Sequence, residues 1–298
     1  MIYDCLIVGA GPGGLSSALY FGRAGVSTII IEKSAPGGKV ITTSSVENYP
    51  GVLSTTGVSL ALNMMNQLKP YNIPFKYEEV LEITKEKDLF VTKTNKDTYI
   101  SKYVIVSTGT INKQLNVPGE AKYMNRGVSY CAVCDGVLYK DKEVLVVGAG
   151  NSAFEESLYL AKICKKVTIV HRSQTFRAAS ELIEKVKNTS NIELLTDTVV
   201  TSFNGDDVLK SVTLKDLNNV YEYNVDGVFI YIGFIPCTNF LSNLDVLDEA
   251  GFIKINQECE TKISGLYACG DATNNVVKQI GCAVGNGITA SNIIIKKL

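Results

Sequence analysis

Cys5-Leu6-Ile7-Val8-Gly9-Ala10-Gly11-Pro12-Gly13-Gly14 decides how this chain folds. Four consecutive apolar residues describe a strand buried on both faces, since a strand with one wet face would alternate. Gly9, Gly11 and Gly14 then keep the spacing of a dinucleotide fingerprint. The first glycine serves a tight turn, the second the approach of backbone to a pyrophosphate, and the third the packing of helix against strand. Residues 15–25 read as that helix, whose first N–H groups would face phosphates. Residues 27–31 read as the next strand, which ends in Glu32, an acid placed to hold a ribose hydroxyl. A fingerprint alone is a weak signal, but strand, turn, helix, strand and acid in order predict a βαβ nucleotide-binding unit.

The pattern recurs. Val144-Leu145-Val146-Val147 leads into Gly148-Ala149-Gly150-Asn151-Ser152-Ala153, the form that ends in alanine, and residues 154–163 read as its helix. The second copy begins 139 residues after the first (148 minus 9). Two units imply two dinucleotides, and a flavin with a nicotinamide is the economical pair. The next strand, residues 166–170, runs into His171-Arg172-Ser173-Gln174-Thr175-Phe176-Arg177 instead of a carboxylate. Arg172 and Arg177 would attract a 2′-phosphate that an acid would repel, which favours NADP. Solvated arginines on an exposed loop are the alternative reading.

Tyr130-Cys131-Ala132-Val133-Cys134-Asp135-Gly136 precedes the second copy. Two cysteines separated by two residues can close a small disulfide or open to a dithiol, and so store two electrons. Asp135 can give or take the accompanying proton. Half of a zinc site is the competing reading, but zinc needs four ligands. The other cysteines (Cys5, Cys164, Cys237, Cys259, Cys269, Cys282) stand singly and His171 is the only histidine, so no metal is expected. A thioredoxin-type site is disfavoured because the chain has no tryptophan and the pair does not follow a short strand in a unit of that size.

At 298 residues two domains are expected. Lys plus Arg number 29 against 30 Asp plus Glu, a balance that gives no sign of a nucleic-acid or membrane partner. The N-terminus lacks a signal-peptide pattern and no apolar run reaches ~18 residues, so a cytoplasmic protein is expected. Pro36-Gly37-Gly38-Lys39 and Val46-Glu47-Asn48-Tyr49-Pro50-Gly51 make a long loop that suits a cofactor larger than NAD. Residues 57–68 read as helix, and 75–80, 89–93, 103–109, 192–195, 208–214, 226–233 and 265–271 as strands. Gly109 could be only a turn or could let backbone approach a ligand, and Asp271 could be only a helix cap. Residues 288–297 read as a closing helix with lysines in its last turn.

This order of motifs resembles the low-molecular-weight thioredoxin reductase family across essentially the whole chain. The matching parts are the Gly9 to Gly14 fingerprint, Gly37-Gly38, residues 46–51, Thr108-Gly109, residues 131–136, the second fingerprint with Glu155-Glu156, His171-Arg172, Gly270-Asp271 and Lys278-Gln279. The resemblance implies an α/β fold with two Rossmann-like dinucleotide-binding domains. The flavin domain would be discontinuous, residues 1–111 and 241–298, with a pyridine-nucleotide domain of residues 112–240 inserted and carrying the cysteines. It also implies FAD, NADPH (with NADH possible), a homodimer, and thioredoxin as the disulfide partner.

Carried over, FAD would be held by Gly9, Gly11, Pro12, Gly14, Glu32, Gly38, Lys39, Thr43, Asn48, Val80, Thr108, Gly109, Gly270, Asp271, Lys278, Gln279 and Ile280. The nicotinamide nucleotide would be held by Gly148, Gly150, Asn151, Ser152, Ala153, Glu156, His171, Arg172, Ser173 and Arg177. Cys131, Cys134 and Asp135 would be catalytic, with Cys134 against the flavin and Cys131 attacking the partner. The family's nucleotide domain rotates, and residues 111–117 and 235–240 are the natural hinges.

The chain departs from the family at three places. Ser173 stands for a second arginine, Val277-Lys278 for Tyr-Arg, and Lys39 for a frequent glutamine. Larger flavin disulfide reductases use a histidine near the C-terminus, whereas none follows His171 here, so the proton work falls to Asp135 or water. The competing readings are a flavin reductase or oxidase fed by NADH or a ferredoxin-type donor, and a redox-sensing flavoprotein without catalysis.

Overall fold

A computed structural model describes residues 1–43 and 46–298. The chain forms two compact units, one from Met1–Ile111 with Ile235–Leu298 and the other from Asn112–Phe234. The return to the first unit falls at Ile235, not at 241 as expected, six residues earlier (241 minus 235). The strand Phe234–Pro236 pairs with Thr110–Asn112, so the outgoing and returning crossings are tied side by side.

In the first unit the strands Phe75–Tyr77, Thr28–Glu32, Ile2–Val8 and Thr98–Val106 lie in that order, all parallel. Leu266–Ala268 pairs in parallel with the end of Thr98–Val106. The start of Thr98–Val106 joins an antiparallel meander with Leu89–Thr94 and Val80–Glu86. Register brings Val8 level with Ile31 and Val106, and Val106 level with Ala268. Gly9, Glu32, Ser107 and Cys269 therefore leave the sheet at one carboxyl edge, where doubly wound sheets bind ligands.

Helices Pro12–Ala24 and Ile280–Lys297 cover one face through a core that includes Leu15, Phe21, Ile30, Tyr267 and Ile294. The other face packs Leu6, Ile83, Phe90, Val104, Leu241 and Ile253. The closing helix begins at Ile280, eight residues before the expected 288. Gly281, Gly285 and Gly287 make that first half look like a turn. Gly287 has a packing reason to lack a side chain, since a Cβ there would meet Gly13 O at 2.2 Å. The helices thus approach closely enough for Ser17 Oγ to donate to Gly287 O at 3.0 Å. The expected strand over 75–80 is two strands, Phe75–Tyr77 and the start of Val80–Glu86, which lie at opposite ends of the sheet order.

In the second unit the parallel order is Ile192–Leu195, Lys166–Val170, Glu143–Val147, Gly227–Ile230, Val128–Ser129. Antiparallel strands Val199–Gly205, Leu209–Lys215 and Val220–Asn224 supply Phe203, Val212 and Leu214 to the core on one face. Helices Asn151–Ala161 and Ser180–Lys187 supply Phe154, Leu160 and Val186 to the core on the other. Val147 is level with Val170 and Ile230, and Ser129 with Phe229. Gly148, His171, Tyr231 and the segment leading to Cys131 consequently share a second carboxyl edge. Among the described residues no helix is long and apolar enough to cross a membrane.

Candidate functional site

Steric demands at the edge of the first unit explain its glycines individually. Gly9 has φ +97°, and a Cβ there would meet Ser107 O at 2.5 Å. A Cβ on Gly14 would lie 2.0 Å from Gly9 O. Gly11 is different, because a Cβ there would come no closer than 4.0 Å to the protein. Its glycine answers no clash among the described residues, and the open space before the helix fits the close approach of a pyrophosphate. Gly11 is the residue before that helix and Pro12 stands at its start, where a missing N–H costs nothing.

Glu32, almost fully buried, accepts from the Ala10 N–H through Oε2 at 2.7 Å and from the Ser34 N–H through Oε1 at 2.8 Å. It thereby fixes the glycine turn and, with Oε1 also accepting from Ser34 Oγ at 3.1 Å, its own loop, while Oε2 keeps a further lone pair. Gly38 opens the short helix Gly38–Thr42, and Thr43 closes it with an N–H to Val40 O at 3.0 Å. Lys39 pairs with Asp271 at 2.7 Å and donates to Thr110 Oγ1 at 2.8 Å. Lys278 donates to the carbonyls of Asp271 at 3.0 Å and Thr273 at 2.7 Å, above the Phe252 ring. Burial holds its ammonium below the usual lysine range. Asn48 Nδ2 donates to Gln279 Oε1 at 3.4 Å, and Ile280 begins the closing helix.

Thr108 Oγ1 donates to Cys237 O at 2.7 Å, and Cys237 N–H donates to Gly109 O. Gly109 has φ +65° and nothing within 4 Å of a Cβ, which fits the ligand-approach reading. Gly270 has φ +72° against Ala283. Val80 is packed in the core at the start of its strand. The acid at Glu32, the open Gly11, and the polar pairs Lys39 with Asp271 and Asn48 with Gln279 fit a dinucleotide with a further polar ring system.

The edge of the second unit repeats the logic. Gly148 has φ +132° and a Cβ there would meet Tyr231 O at 2.2 Å, whereas Gly150, before the helix, faces open space. Ala153 is fully buried and Ser152 exposed. Asn151 Oδ1 accepts from the Ala179 N–H at 2.8 Å, and Arg177 N–H donates to Ala149 O, so the arginine loop is tied to the glycine loop. Phe176, not singled out from sequence, anchors that loop against Phe154 and His171, with ring centres 5.4 and 6.1 Å away.

Arg172 and Arg177 stand exposed, and no ion pair among the described residues occupies either. Ser173 Oγ lies 3.1 Å from His171 Nε2 and donates to Thr175 O at 3.2 Å. The residue that replaces an arginine closes this turn with its hydroxyl.

Cys131 and Cys134 form a disulfide, with Cys131 immediately before the short helix Ala132–Asp135. Ser129 Oγ accepts from the Cys131 N–H at 3.1 Å and donates to Asp135 Oδ2 at 2.6 Å. The Ala132 N–H donates to the Tyr231 hydroxyl oxygen at 2.5 Å. Burial, with Glu156 nearby, pushes the Tyr231 phenol well above its usual value, so it remains a neutral hydroxyl. Tyr130 OH donates to Glu120 Oε1 at 2.7 Å, and Glu120 also accepts from the N–H groups of Leu115 and Asn116. Glu156, expected among the nucleotide contacts, has its carboxylate against the Val133 N–H of the disulfide loop.

Ser129, Tyr231 and Glu120 were not read from sequence, and only their hydrogen-bonding chemistry could have hinted at them. The buried thiols Cys5, Cys164, Cys259 and Cys269 are poor redox candidates. Burial pushes Cys259 up to about 11 and Cys269 up to about 12.

Comparison with known proteins follows the same outline. Residues 3–287 match the family described as pyridine nucleotide-disulphide oxidoreductase. The chain is 40% identical over 293 residues to the thioredoxin reductase of Ureaplasma parvum serovar 3, covering 97% of this chain and 95% of that protein. It is 39% identical over 296 residues to the thioredoxin reductase of Bacillus subtilis (strain 168), covering 98% and 94%. The crystal structure of thioredoxin reductase from Streptococcus pyogenes MGAS5005 is similar with a TM-score of 0.93 at 38% identity, covering 99% and 97% of the two chains.

Proposed function

Since the chain belongs to the pyridine nucleotide-disulphide oxidoreductases and, among them, to the thioredoxin reductases, we propose that Cys131 and Cys134 carry electrons from NADPH and FAD to the disulfide of a thioredoxin. The observation that carries this reading is that the disulfide and the glycine and arginine loops leave the same carboxyl edge of one parallel sheet. We assign FAD to the first unit and NADPH to the second. Bound FAD supplies the conversion of a hydride from NADPH into the electron pair that opens the disulfide. The relatives' names and the presence of both cysteines favour this over the ferredoxin-fed, NADH-fed and non-catalytic readings.

What the chain itself does is thiol exchange. The Cys131 thiolate attacks a sulfur of thioredoxin's disulfide, which breaks that bond and forms a mixed disulfide. Asp135, oriented by Ser129, gives a proton to the departing thiolate. Cys134 then attacks Cys131 Sγ, which restores the Cys131–Cys134 bond and frees the second thioredoxin thiol. Residues 111–117 and 235–240 are proposed as the hinges that let both partners reach FAD. A cytoplasmic homodimer is part of the same proposal.

Two expected results test the cofactor assignments. Gly11→Val places branched carbons where the pyrophosphate must approach, so the purified variant should lack most of its flavin absorbance. A full flavin complement in that variant removes the assignment of the first unit. Arg172→Ala removes a charge-assisted contact of ~1.5 to 3 kcal/mol and should raise KM for NADPH roughly tenfold or more, with NADH kinetics barely changed. An equal effect on both nucleotides, or a wild type that prefers NADH, contradicts recognition of the 2′-phosphate. With Ser173 engaged in its own turn, that recognition rests on Arg172 and Arg177.

A further inference from the structure

Glu156 is a half-buried titratable group, one carboxylate oxygen of which is fully buried, that the thiol exchange leaves unused. It projects from the helix Asn151–Ala161 onto the loop between the two redox cysteines, where its carboxylate meets the Val133 N–H. Its Oε2 is buried without a hydrogen-bond partner. The neighbouring N–H on the same loop, Ala132, is held by Tyr231, whose phenol is itself under the influence of Glu156. Burial first and the adjacent Glu155 second push the Glu156 carboxyl up to about 7, against the opposing effect of the Val133 N–H.

Glu155, exposed, lies on the same helix as Glu156, Tyr231 follows the strand Gly227–Ile230, and Asp135 on the redox helix acts on Tyr231. No cation is among the groups that act on Glu156. Opening the disulfide adds one sulfur anion to this already acidic corner, and like charge disfavours the ionised carboxylate further.

We propose that Glu156 is a positioning residue of the redox pair, one that takes up a proton through its buried carboxylate when the disulfide beside it opens and releases it when the disulfide closes. This rests on Cys131 and Cys134 being the redox pair. The step balances. One disulfide, one carboxylate, two electrons from NADPH through FAD and two protons give one thiol, one thiolate and one carboxylic acid, with only the S–S bond broken. On closure against thioredoxin's disulfide, the proton of the Cys134 thiol and the proton of Glu156, which restores the one that Asp135 gave to the departing thiolate, account with the two electrons for thioredoxin's two thiols. The thiolate can thus persist for attack while the second proton stays within the protein. A carboxylate that served only to fasten the loop would have the same proton affinity whether the disulfide is open or closed, and would add nothing to the pH slope of the potential.

The test is the pH dependence of the reduction potential of the Cys131–Cys134 pair. The full-length, FAD-loaded protein is equilibrated with dithiothreitol buffers from pH 6 to 9. One additional proton per two electrons changes the equilibrium constant tenfold per pH unit, about 30 mV per pH unit. Above pH ~7 the wild type should be steeper than Glu156→Gln by up to that amount, and below it the slopes should converge. The glutamine keeps an acceptor for the Val133 N–H, so loop fastening is retained while proton uptake is lost.

Equal slopes in the two proteins across the range overturn the inference. Should Glu156→Gln fail to fold, Glu155→Gln at an exposed position carries the test. Removing that charge should move the onset of the steeper slope to lower pH, and an unchanged onset overturns the inference. A pair that does not titrate as a two-electron couple would instead overturn the assignment of the redox cysteines.

Discussion

Cys131→Ser should reduce NADPH-dependent turnover of thioredoxin by more than ~10³-fold, because it removes the nucleophile that opens the partner's disulfide. Flavin content should be unchanged, since every residue assigned to FAD lies in the other unit. Cys134→Ser should lose turnover to the same extent for a different reason, the absence of the thiol that resolves the mixed disulfide. The two variants separate when each meets a single-cysteine thioredoxin activated as an aryl mixed disulfide. Cys134→Ser, with Cys131 free, should release one equivalent of aryl thiolate and retain thioredoxin covalently. Cys131→Ser should do so far more slowly. If Cys131→Ser is instead the faster of the two, the roles of the cysteines are reversed.

Asp135→Asn should slow the reoxidation of the reduced pair by thioredoxin by ~10²-fold or more, the usual scale for loss of a general acid. The asparagine can still accept the hydrogen bond from Ser129, which in the native protein holds Asp135 Oδ2 at 2.6 Å, so the loop should keep its shape. Reduction of the protein by NADPH should therefore proceed unchanged. Wild-type turnover in this variant would assign the proton to another group, and Glu156 would become the first to examine in that role.

Both carboxyl edges were legible in the sequence because their glycines answer strict local demands. Gly9 and Gly148 are positive-φ turns pressed against a carbonyl, and Gly14 has no room for a methyl group, so the chain had few other choices at those positions. The Cys131–Cys134 disulfide was legible for a chemical reason, since two cysteines at that spacing can close a small ring. The closing helix was misplaced because Gly281, Gly285 and Gly287 look like a turn until the packing of the helix Pro12–Ala24 is known.

Tyr231 supports the disulfide loop from 99 positions away, and only the pairing of Gly227–Ile230 with Val128–Ser129 brings it there. Glu156 was read as a nucleotide contact from its place after the fingerprint, while its burial beside Val133 is a consequence of how that helix packs. Lys39 illustrates the same limit. Its charge was visible in sequence, but the ion pair with Asp271 joins positions 232 residues apart (271 minus 39).

The most direct test of the account is an anaerobic reaction of the FAD-loaded protein with oxidised thioredoxin and either NADPH or NADH, in which new thioredoxin thiols are counted against nicotinamide oxidised. Two-electron exchange predicts two thiols for each NADPH consumed, a much slower reaction with NADH, and none in the protein lacking Cys131. Oxidation of NADPH without thiols on thioredoxin, or thiols formed equally fast without Cys131, would contradict it.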